Sequence, residues 1–189
     1  DRVIAMQPES AAAVIRNFGA KLPQYEAIYV ADPTGRIIAA SAEAALSINV
    51  ADRQYFQSAM QGQANFSDAL VSRQTGRIIV VRAEPVRRDN QVVGVAVAVV
   101  PMTELGELLK GLWDADTGDA YLVNRAGLLI TAPLFSDDLK LAGAFQERPE
   151  LEMQIDTAGT RAALAGEGGV SRYPDYRGQP VVGAHYLIP

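Results

Sequence analysis

The sequence predicts an α+β protein built from two similar modules, each an antiparallel sheet with flanking helices, placed after a long N-terminal helix. The first observation behind this prediction is an internal repeat, in which "YVADPTGRIIAA" (29–40) aligns without a gap to "YLVNRAGLLITA" (121–132). Two weaker matches follow in the same order: "QGQANFS" (61–67) with "AGEGGVS" (165–171), and "VVGVAV" (92–97) with "VVGAHY" (181–186). Matches in the same order along both halves indicate a tandem duplication.

The second observation is the spacing of apolar residues, which alternates between strand and helix patterns along the chain. A chain of 189 residues can hold one large domain or two small ones. The repeat favours two, and we predict an N-terminal helix at 1–24, a first module at 25–101, a connecting helix at 102–117 and a second module at 118–189.

The N-terminal helix is predicted from an alanine-rich stretch at 3–18 with helical spacing. Gly19 is its expected end, and Pro8 indicates a kink or a break within it. The chain then has the pattern of a hairpin. Residues 27–31 and 37–40 are apolar strands, and the "DPTG" sequence between them is typical of a turn.

A short helix is predicted at 53–61. Asp52 is a suitable N-cap residue for it, and Gly62 is a suitable C-terminal stop. Phe56 begins an apolar stripe that continues three and four positions later, as on the buried face of a helix.

Three β-rich runs follow this helix: "NFSDALVS" (65–72), "GRIIVVRAEPV" (76–86) and "QVVGVAVAVV" (91–100). Because only short turn sequences separate the runs, they predict an antiparallel meander. Pro101 ends the last strand, and "MTELGELLKGLW" (102–113) has the leucine stripe of a connecting helix.

Composition excludes several classes of function. The chain has 22 acidic and 17 basic residues, a net charge of −5 and no Lys/Arg cluster, so nucleic acid is not an expected partner. It has no cysteine and a single histidine, His185, which excludes thiolate metal sites and imidazole-based catalytic pairs. The carboxylate pairs Asp114/Asp116 and Asp137/Asp138 are expected to be solvated and have no catalytic partner. We therefore expect no metal site, no cofactor and no enzymatic activity in this chain.

No apolar run reaches the ~18 residues that a membrane-spanning helix requires. The longest run, 92–102, is rich in valine and interrupted by Gly94, so it predicts a buried strand. The sequence begins at Asp1 without an initiator methionine or a signal-peptide pattern. On these grounds we expect it to be part of a longer protein.

Five segments in order carry a resemblance to a known family: "DRQYFQSAMQG" (52–62), "SRQTGRIIVVRAEPV" (72–86), "VVGVAVAVVPMTEL" (92–105), "AYLVNRAGLLIT" (120–131) and "YPDYRGQPVVGAHYLIP" (173–189). Together they resemble the double Cache sensor domain, the extracytoplasmic part of bacterial histidine kinases, chemoreceptors and cyclic-dinucleotide enzymes. The resemblance covers essentially the whole chain. It implies two PAS-like modules on a long N-terminal helix, the first membrane-distal and the second membrane-proximal.

The resemblance also implies where a ligand binds. In this family the distal module usually holds the ligand, the arginine of a D-R-x-[WY]-[FY] segment grips a carboxylate, and the aromatic residues after it cover the ligand. These positions fall on Arg53, Tyr55 and Phe56. In amino-acid-binding members an aspartate takes the ligand ammonium, and here that place falls on Val99, while an aromatic position falls on Leu70. The resemblance therefore favours a small organic acid over an amino acid.

Arg53 also has a physical rationale as a carboxylate ligand, because a guanidinium offers two parallel donors and the start of a helix adds partial positive charge. The alternative is a surface arginine paired with Asp52 or Asp68. On an ideal helix Arg53 and Tyr55 point about 200° apart. They can share one pocket only if Arg53 precedes the helix; otherwise one of them faces solvent.

Further candidates lie after the helix. Asp68, Ser72 and Arg73 are on a strand and its turn, from where side chains can reach the mouth of a pocket; the alternative is a solvated hairpin edge. Arg82 lies inside an apolar strand and must be paired or reach solvent, since an unpaired buried charge is unfavourable. For Phe56 the alternative is a place in the core, which its helical spacing favours.

The sequence thus predicts the ligand-sensing domain of a transmembrane receptor, most simply a sensor histidine kinase, with a small organic anion bound in the module at 25–101. We expect a periplasmic location, a homodimer formed through the N-terminal helix, and a link to the membrane through transmembrane helices outside this sequence. Two alternatives stay open. One is a ligand-free structural or dimerisation module, and the other is an amino-acid-binding chemoreceptor domain.

Overall fold

The computed structural model describes residues 8–111 and 117–188, which fall into two compact units, Asp1–Glu104 and Leu105–Pro189. Both units combine antiparallel strands with helices, which confirms the α+β class. The assignment of the two units as PAS-like modules stays a prediction, as does a long N-terminal helix. Residues 1–7 lie outside the described part of the chain, and with them part of the predicted helix at 3–18.

The first unit is built on a six-stranded antiparallel sheet of order β2-β1-β6-β5-β3, in which β4 also pairs with β5. The strands are β1 (Ala27–Ala31), β2 (Ile37–Ala40), β3 (Asn65–Phe66), β4 (Leu70–Val71), β5 (Ile78–Arg88) and β6 (Gln91–Pro101). Helix α1 (Pro8–Gly19), a 3-10 helix (Glu43–Ser47) and helix α2 (Gln54–Met60) complete the unit, and α3 (Met102–Lys110) follows it. The predicted end of the N-terminal helix at Gly19 is confirmed.

The β1–β2 turn has the conformation that its sequence predicts. The Asp32 side chain accepts hydrogen bonds from the backbone N–H of Thr34 (2.9 Å) and Arg36 (3.2 Å), and Gly35 adopts a positive φ of 78°. Gly35 also accepts a hydrogen bond from the Val50 N–H at 2.9 Å. The turn therefore fixes the chain just before α2, where the candidate segment begins.

The predicted run at 65–72 forms two short strands instead of one. Between them the Ser67 N–H donates to the carbonyl of Val81 (2.8 Å), and the Ser67 hydroxyl accepts from the Val81 N–H (2.9 Å). The Asp68 carboxylate accepts from the next backbone N–H, that of Ala69, at 2.7 Å. These side chain–backbone bonds replace the regular ladder, and the strand is interrupted.

Helix α2 starts one residue later than the sequence predicts. Arg53 is its N-cap residue, with φ −79° and ψ 130°, and no side chain caps the helix. The prediction of Asp52 as N-cap is wrong because its carboxylate is bound by the guanidinium of Arg73 instead. Tyr55, Phe56 and Ala59 are buried in the core of the unit.

The second unit contains α4 (Ser136–Leu141), α5 (Ala158–Leu164) and a two-stranded sheet of β7 (Gly169–Pro174) and β8 (Pro180–His185). Its first turn repeats the hydrogen bonding of the β1–β2 turn: Asn124 accepts from the N–H groups of Ala126 and Leu128, each at 3.0 Å. Gly127 has φ 79° and accepts from the Ile155 N–H at 2.8 Å. The repeat in the sequence is thus a repeat in local geometry.

The connecting helix α3 spans Met102–Lys110, and the predicted continuation from 112 to 116 lies outside the described residues. None of the helices described is both long enough and apolar enough to cross a membrane.

Candidate ligand-binding site

A cleft in the first unit lies between β1, the 3-10 helix, the start of α2 and the turn after β4. Its empty volume, including the open mouth, is about 370 Å³. Apolar side chains form most of the wall, and they include Ile37, Ile48, Val50, Leu70, Ile79 and Val99. Polar groups reach the cleft from Glu26, Tyr29, Arg53, Tyr55, Ser72, Arg73 and Gln74. An apolar wall with a few convergent polar groups is the usual composition of a small-molecule site.

Arg53 and Tyr55 both line the cleft. Helical spacing alone does not predict this, because two such residues within one helix point about 200° apart. Both line the cleft because Arg53 has an extended backbone conformation and precedes the helix, while Tyr55 lies in its first turn. Arg53 is half-buried, and its guanidinium donates one hydrogen bond through Nη2 to the carbonyl of Val71 at 3.2 Å.

Two tyrosines meet in the cleft. Their hydroxyl oxygens are 2.9 Å apart, and the side chains of Tyr29 and Tyr55 are only 4% and 6% exposed. Burial is the main reason that the pKa of the Tyr29 phenol is raised far above its usual range, and the neighbouring Tyr55 raises it further. Burial also raises the pKa of Tyr55. Both phenols are therefore neutral hydrogen-bonding groups at physiological pH.

The buried phenols make the stability of the chain pH-dependent on the alkaline side. A phenol with a raised pKa holds its proton more tightly in the folded than in the unfolded state, so its contribution is complete below about pH 10 and is lost as the pH rises further. We expect Tyr29→Phe to flatten the decline of the urea midpoint between pH 9 and pH 11, relative to its own value at pH 7. Tyr186→Phe, at a side chain that is 78% exposed, is the control. Equal declines in the two variants would contradict the prediction.

Arg73 crosses the mouth of the cleft to the segment before α2. Its guanidinium donates through Nη1 to Oδ1 of Asp52 (2.9 Å) and to the carbonyl of Asn49 (2.6 Å), and through Nη2 to Oδ2 of Asp52. These hydrogen bonds hold the pKa of the Asp52 carboxyl below its usual value. Both side chains are substantially exposed, so solvent screens the pair.

Glu26 is a site residue that the sequence does not indicate. Its carboxylate accepts hydrogen bonds from the hydroxyls of Ser72 and Thr75, the latter at 2.6 Å. Its backbone N–H donates to the carbonyl of Val99 at 2.9 Å, so this carboxylate lies beside the position where the family resemblance places an aspartate. Regular alternation along β1 would place the side chains of Glu26 and Ala27 on opposite faces of the sheet. Both residues line the cleft because Glu26 lies in the irregular segment just before the strand.

Of the seven predicted site residues, the structure brings Arg53, Tyr55, Ser72 and Arg73 together at the cleft, and the others lie elsewhere. Three placements differ from the prediction. Phe56 is packed in the core and is 3% exposed. The Asp68 side chain is exposed and bonds to the adjacent backbone.

The third residue outside the cleft is Arg82. It stacks over the Phe66 ring with its guanidinium carbon 4.6 Å from the ring centroid and donates to the carboxylate of Glu84, at 2.9 Å through Nε. The charge of Arg82 is thus paired, as expected for an arginine within an apolar strand, but its side chain does not line the cleft.

The second unit contains a larger depression of about 680 Å³ next to the start of α5. The charged groups that line it are paired, since Arg161 binds Asp156 (2.7 Å) and Asp175 binds Arg177 (2.7 Å). Asp137 and Asp138 lie in the first turn of α4, and Asp114 and Asp116 are outside the described residues. Within the described ranges, 8–111 and 117–188, no group of His, Asp or Glu side chains is arranged to hold a metal ion.

Residues 1–189 match the sequence profile of a family described as Cache domain. Among solved structures, the sensor domain of the V. cholerae histidine kinase DctB is 14% identical, with a TM-score of 0.63 over 94% of this chain and 70% of that one. The ligand-binding domain of the Campylobacter jejuni chemoreceptor Tlp3, in complex with 4-methylisoleucine, is 13% identical, with a TM-score of 0.64 over 93% and 66%.

The ligand-binding domain of the Pseudomonas fluorescens chemoreceptor CtaA, in complex with L-serine, is also similar. It is 18% identical, with a TM-score of 0.52 over 82% of this chain and 69% of that one. At such identities the likeness shows the fold alone. No curated protein shows significant similarity to the sequence.

Proposed function

The chain belongs to the Cache domain family, and we propose that it is the ligand-sensing domain of a transmembrane receptor, in which the cleft of the first unit binds a small organic anion. Solved structures of similar fold are sensor domains of histidine kinases and chemoreceptors. A sensor histidine kinase is the simplest full-length receptor for this chain. We propose that this domain acts by binding a ligand.

The observation that carries this proposal is the group of hydrogen-bond donors that line the cleft. They include the guanidinium of Arg53, which among the described residues bonds only to the carbonyl of Val71, and that of Arg73, which is held by Asp52. The phenols of Tyr29 and Tyr55 share one hydrogen bond, which uses one of their two O–H donors, and within the described residues it is the only hydrogen bond of either hydroxyl. One phenolic O–H is thus available to a ligand, and an oxyanion is the partner that accepts from guanidinium and phenol together.

Signalling requires the ligand to bind two arrangements of the receptor unequally. We propose that the change passes through the N-terminal helix in a homodimer. Val14 and Phe18 on α1 are 46% and 56% exposed, and such apolar side chains suit a helix–helix contact. The proposed location is periplasmic, with transmembrane helices outside the present sequence linking the domain to its output.

An amino acid is a second candidate ligand, and Glu26 is the observation that favours it. The resemblance gives no ammonium partner at Val99, but the Glu26 carboxylate lies beside that position and reaches the same cleft. A ligand ammonium could take over the hydrogen bonds that the hydroxyls of Ser72 and Thr75 now make. The Tlp3 and CtaA structures contain 4-methylisoleucine and L-serine, respectively.

A thermal-shift panel of matched ligand pairs tests the proposal. Propionate is compared with L-alanine, and succinate with L-aspartate, so that each pair differs by one ammonium group. A ligand at 100 times its Kd should stabilise the chain by about 2.7 kcal/mol.

Shifts with the carboxylates support the organic-anion proposal, and shifts with the amino acids alone support the second candidate. No shift with any member of a wider panel of carboxylates and amino acids would contradict both. It would leave the remaining alternative, a ligand-free module that acts through its dimer contact.

A further inference from the structure

The turn Ser72–Gly76, between β4 and β5, contacts both sides of the cleft. Ser72, Arg73 and Gln74 line the cleft, and the turn is flanked by the two-residue strand β4 and the start of β5. A segment with so little regular pairing opens more easily than the long β5–β6 hairpin.

The turn is internally rigid. The Ser72 N–H donates to the carbonyl of Arg77 at 2.8 Å, and the Gly76 N–H donates to the carbonyl of Ser72 at 3.0 Å. The Ser72 hydroxyl also accepts from the N–H groups of Gln74 (3.1 Å) and Thr75 (3.3 Å). These bonds lie within residues 72–77 and would survive a displacement of this segment, so the turn can move as one piece.

The bonds that hold the turn against the rest of the unit are of another kind. On the β1 side, the hydroxyls of Ser72 and Thr75 donate to the two carboxylate oxygens of Glu26. On the α2 side, Arg73 donates to Asp52 and to the carbonyl of Asn49. All are donated by side chains of the turn. Ser72 is buried, whereas the Arg73–Asp52 pair is exposed to solvent.

From this arrangement we infer that Ser72–Gly76 is a lid on the cleft, closed by the carboxylate of Glu26 on one side and that of Asp52 on the other. For the identity of the ligand that passes beneath the lid, the inference rests on the proposed function. A ligand carboxylate competes with Asp52 for Arg73, and a ligand ammonium competes with the two hydroxyls for Glu26, so binding and lid opening use the same side chains.

Hydrogen–deuterium exchange of the 189-residue chain tests the lid without any ligand. Thr75→Val removes one hydroxyl bond to Glu26 while keeping the side-chain shape, and Glu26→Gln removes the charge that both hydroxyls contact. Because hydrogen bonds to charged groups are among the stronger ones, we expect amide exchange in the peptide covering 70–77 to become about tenfold faster in each variant. Exchange in the β5–β6 hairpin should not change.

Thr34→Val is the matched control. The Thr34 hydroxyl donates to the Asp32 carboxylate at 2.6 Å in another exposed turn of the same unit, so its loss should leave the 70–77 peptide unchanged. Unchanged exchange in both Thr75→Val and Glu26→Gln would overturn the lid, and so would an increase spread evenly over the unit. The ligand panel has a separate readout, so failure of the lid and failure of the proposed function can be told apart.

Discussion

Replacing Phe56 with alanine is expected to lower the free energy of unfolding of the first unit by about 3–5 kcal/mol. The side chain is 3% exposed and belongs to the main core cluster, in which α2 packs on the sheet. Truncation removes its buried apolar surface and leaves a cavity that a rigid sheet cannot fill. Urea denaturation followed by far-UV circular dichroism measures the effect as a lower midpoint.

Phe66 provides the control for this experiment. It is the same residue type in the same unit, but it lies on the short edge strand β3 and is 68% exposed. Phe66→Ala loses mainly the stacking contact with Arg82, which at an exposed site is worth about 0.5–1 kcal/mol. If Phe56→Ala were no more destabilising than Phe66→Ala, the assignment of Phe56 to the core would be wrong.

Phe56 also illustrates how far helical spacing determines a site. Tyr55 and Phe56 are neighbours, about 100° apart on the helix, and both are buried. The sequence predicts that both aromatic side chains are buried. The spacing of apolar residues does not show whether each is buried in the core or lines a ligand cleft. In the structure, the Tyr55 hydroxyl meets that of Tyr29 on β1, and both tyrosines line the cleft, whereas Phe56 does not.

Local patterns predict most strands and turns of the first unit, although the run at 65–72 divides into two strands. The β1–β2 hairpin has the bounds that its apolar runs and "DPTG" turn indicate, and β5 and β6 are joined by a tight turn at Asp89 and Asn90, both with positive φ. The pairing of β1 with β6 is different in kind, because it joins residues about seventy positions apart, as in Ala27↔Val99. The spacing of apolar residues along the chain gives no information about a pairing between such distant strands.

This non-local pairing explains why Glu26 and Tyr29 are not predicted as site residues from the sequence. Glu26 lies in the irregular segment just before β1, where its backbone is bonded to Val99 of β6, and Tyr29 lies on β1, which pairs with β6. Arg53 and Tyr55 could be proposed from one contiguous segment. The helix start was misplaced by one residue for a related reason: Asp52 is a good N-cap by type, but a long-range partner, Arg73, engages its carboxylate.

Replacing Arg53 with alanine is expected to weaken binding of the best carboxylate in the ligand panel by about tenfold to a hundredfold. The loss corresponds to a hydrogen bond with a charged group, about 1.5–3 kcal/mol. Arg53 is half-buried at the cleft, and within the described residues its guanidinium makes only the bond to Val71, so most of its donors are available to a ligand. Isothermal titration calorimetry of the purified chain measures the change in Kd.

Two further arginine variants make this experiment decisive. Arg53→Lys keeps the charge but not the planar pair of donors, so its affinity should lie between those of the wild type and Arg53→Ala. Arg82→Ala should bind like the wild type, because Arg82 is also a half-buried arginine of the first unit but contacts Glu84 and Phe66 outside the cleft. Equal affinity in Arg53→Ala and Arg82→Ala would remove Arg53 from the site and would leave Arg73 as the cleft arginine able to bind the anion.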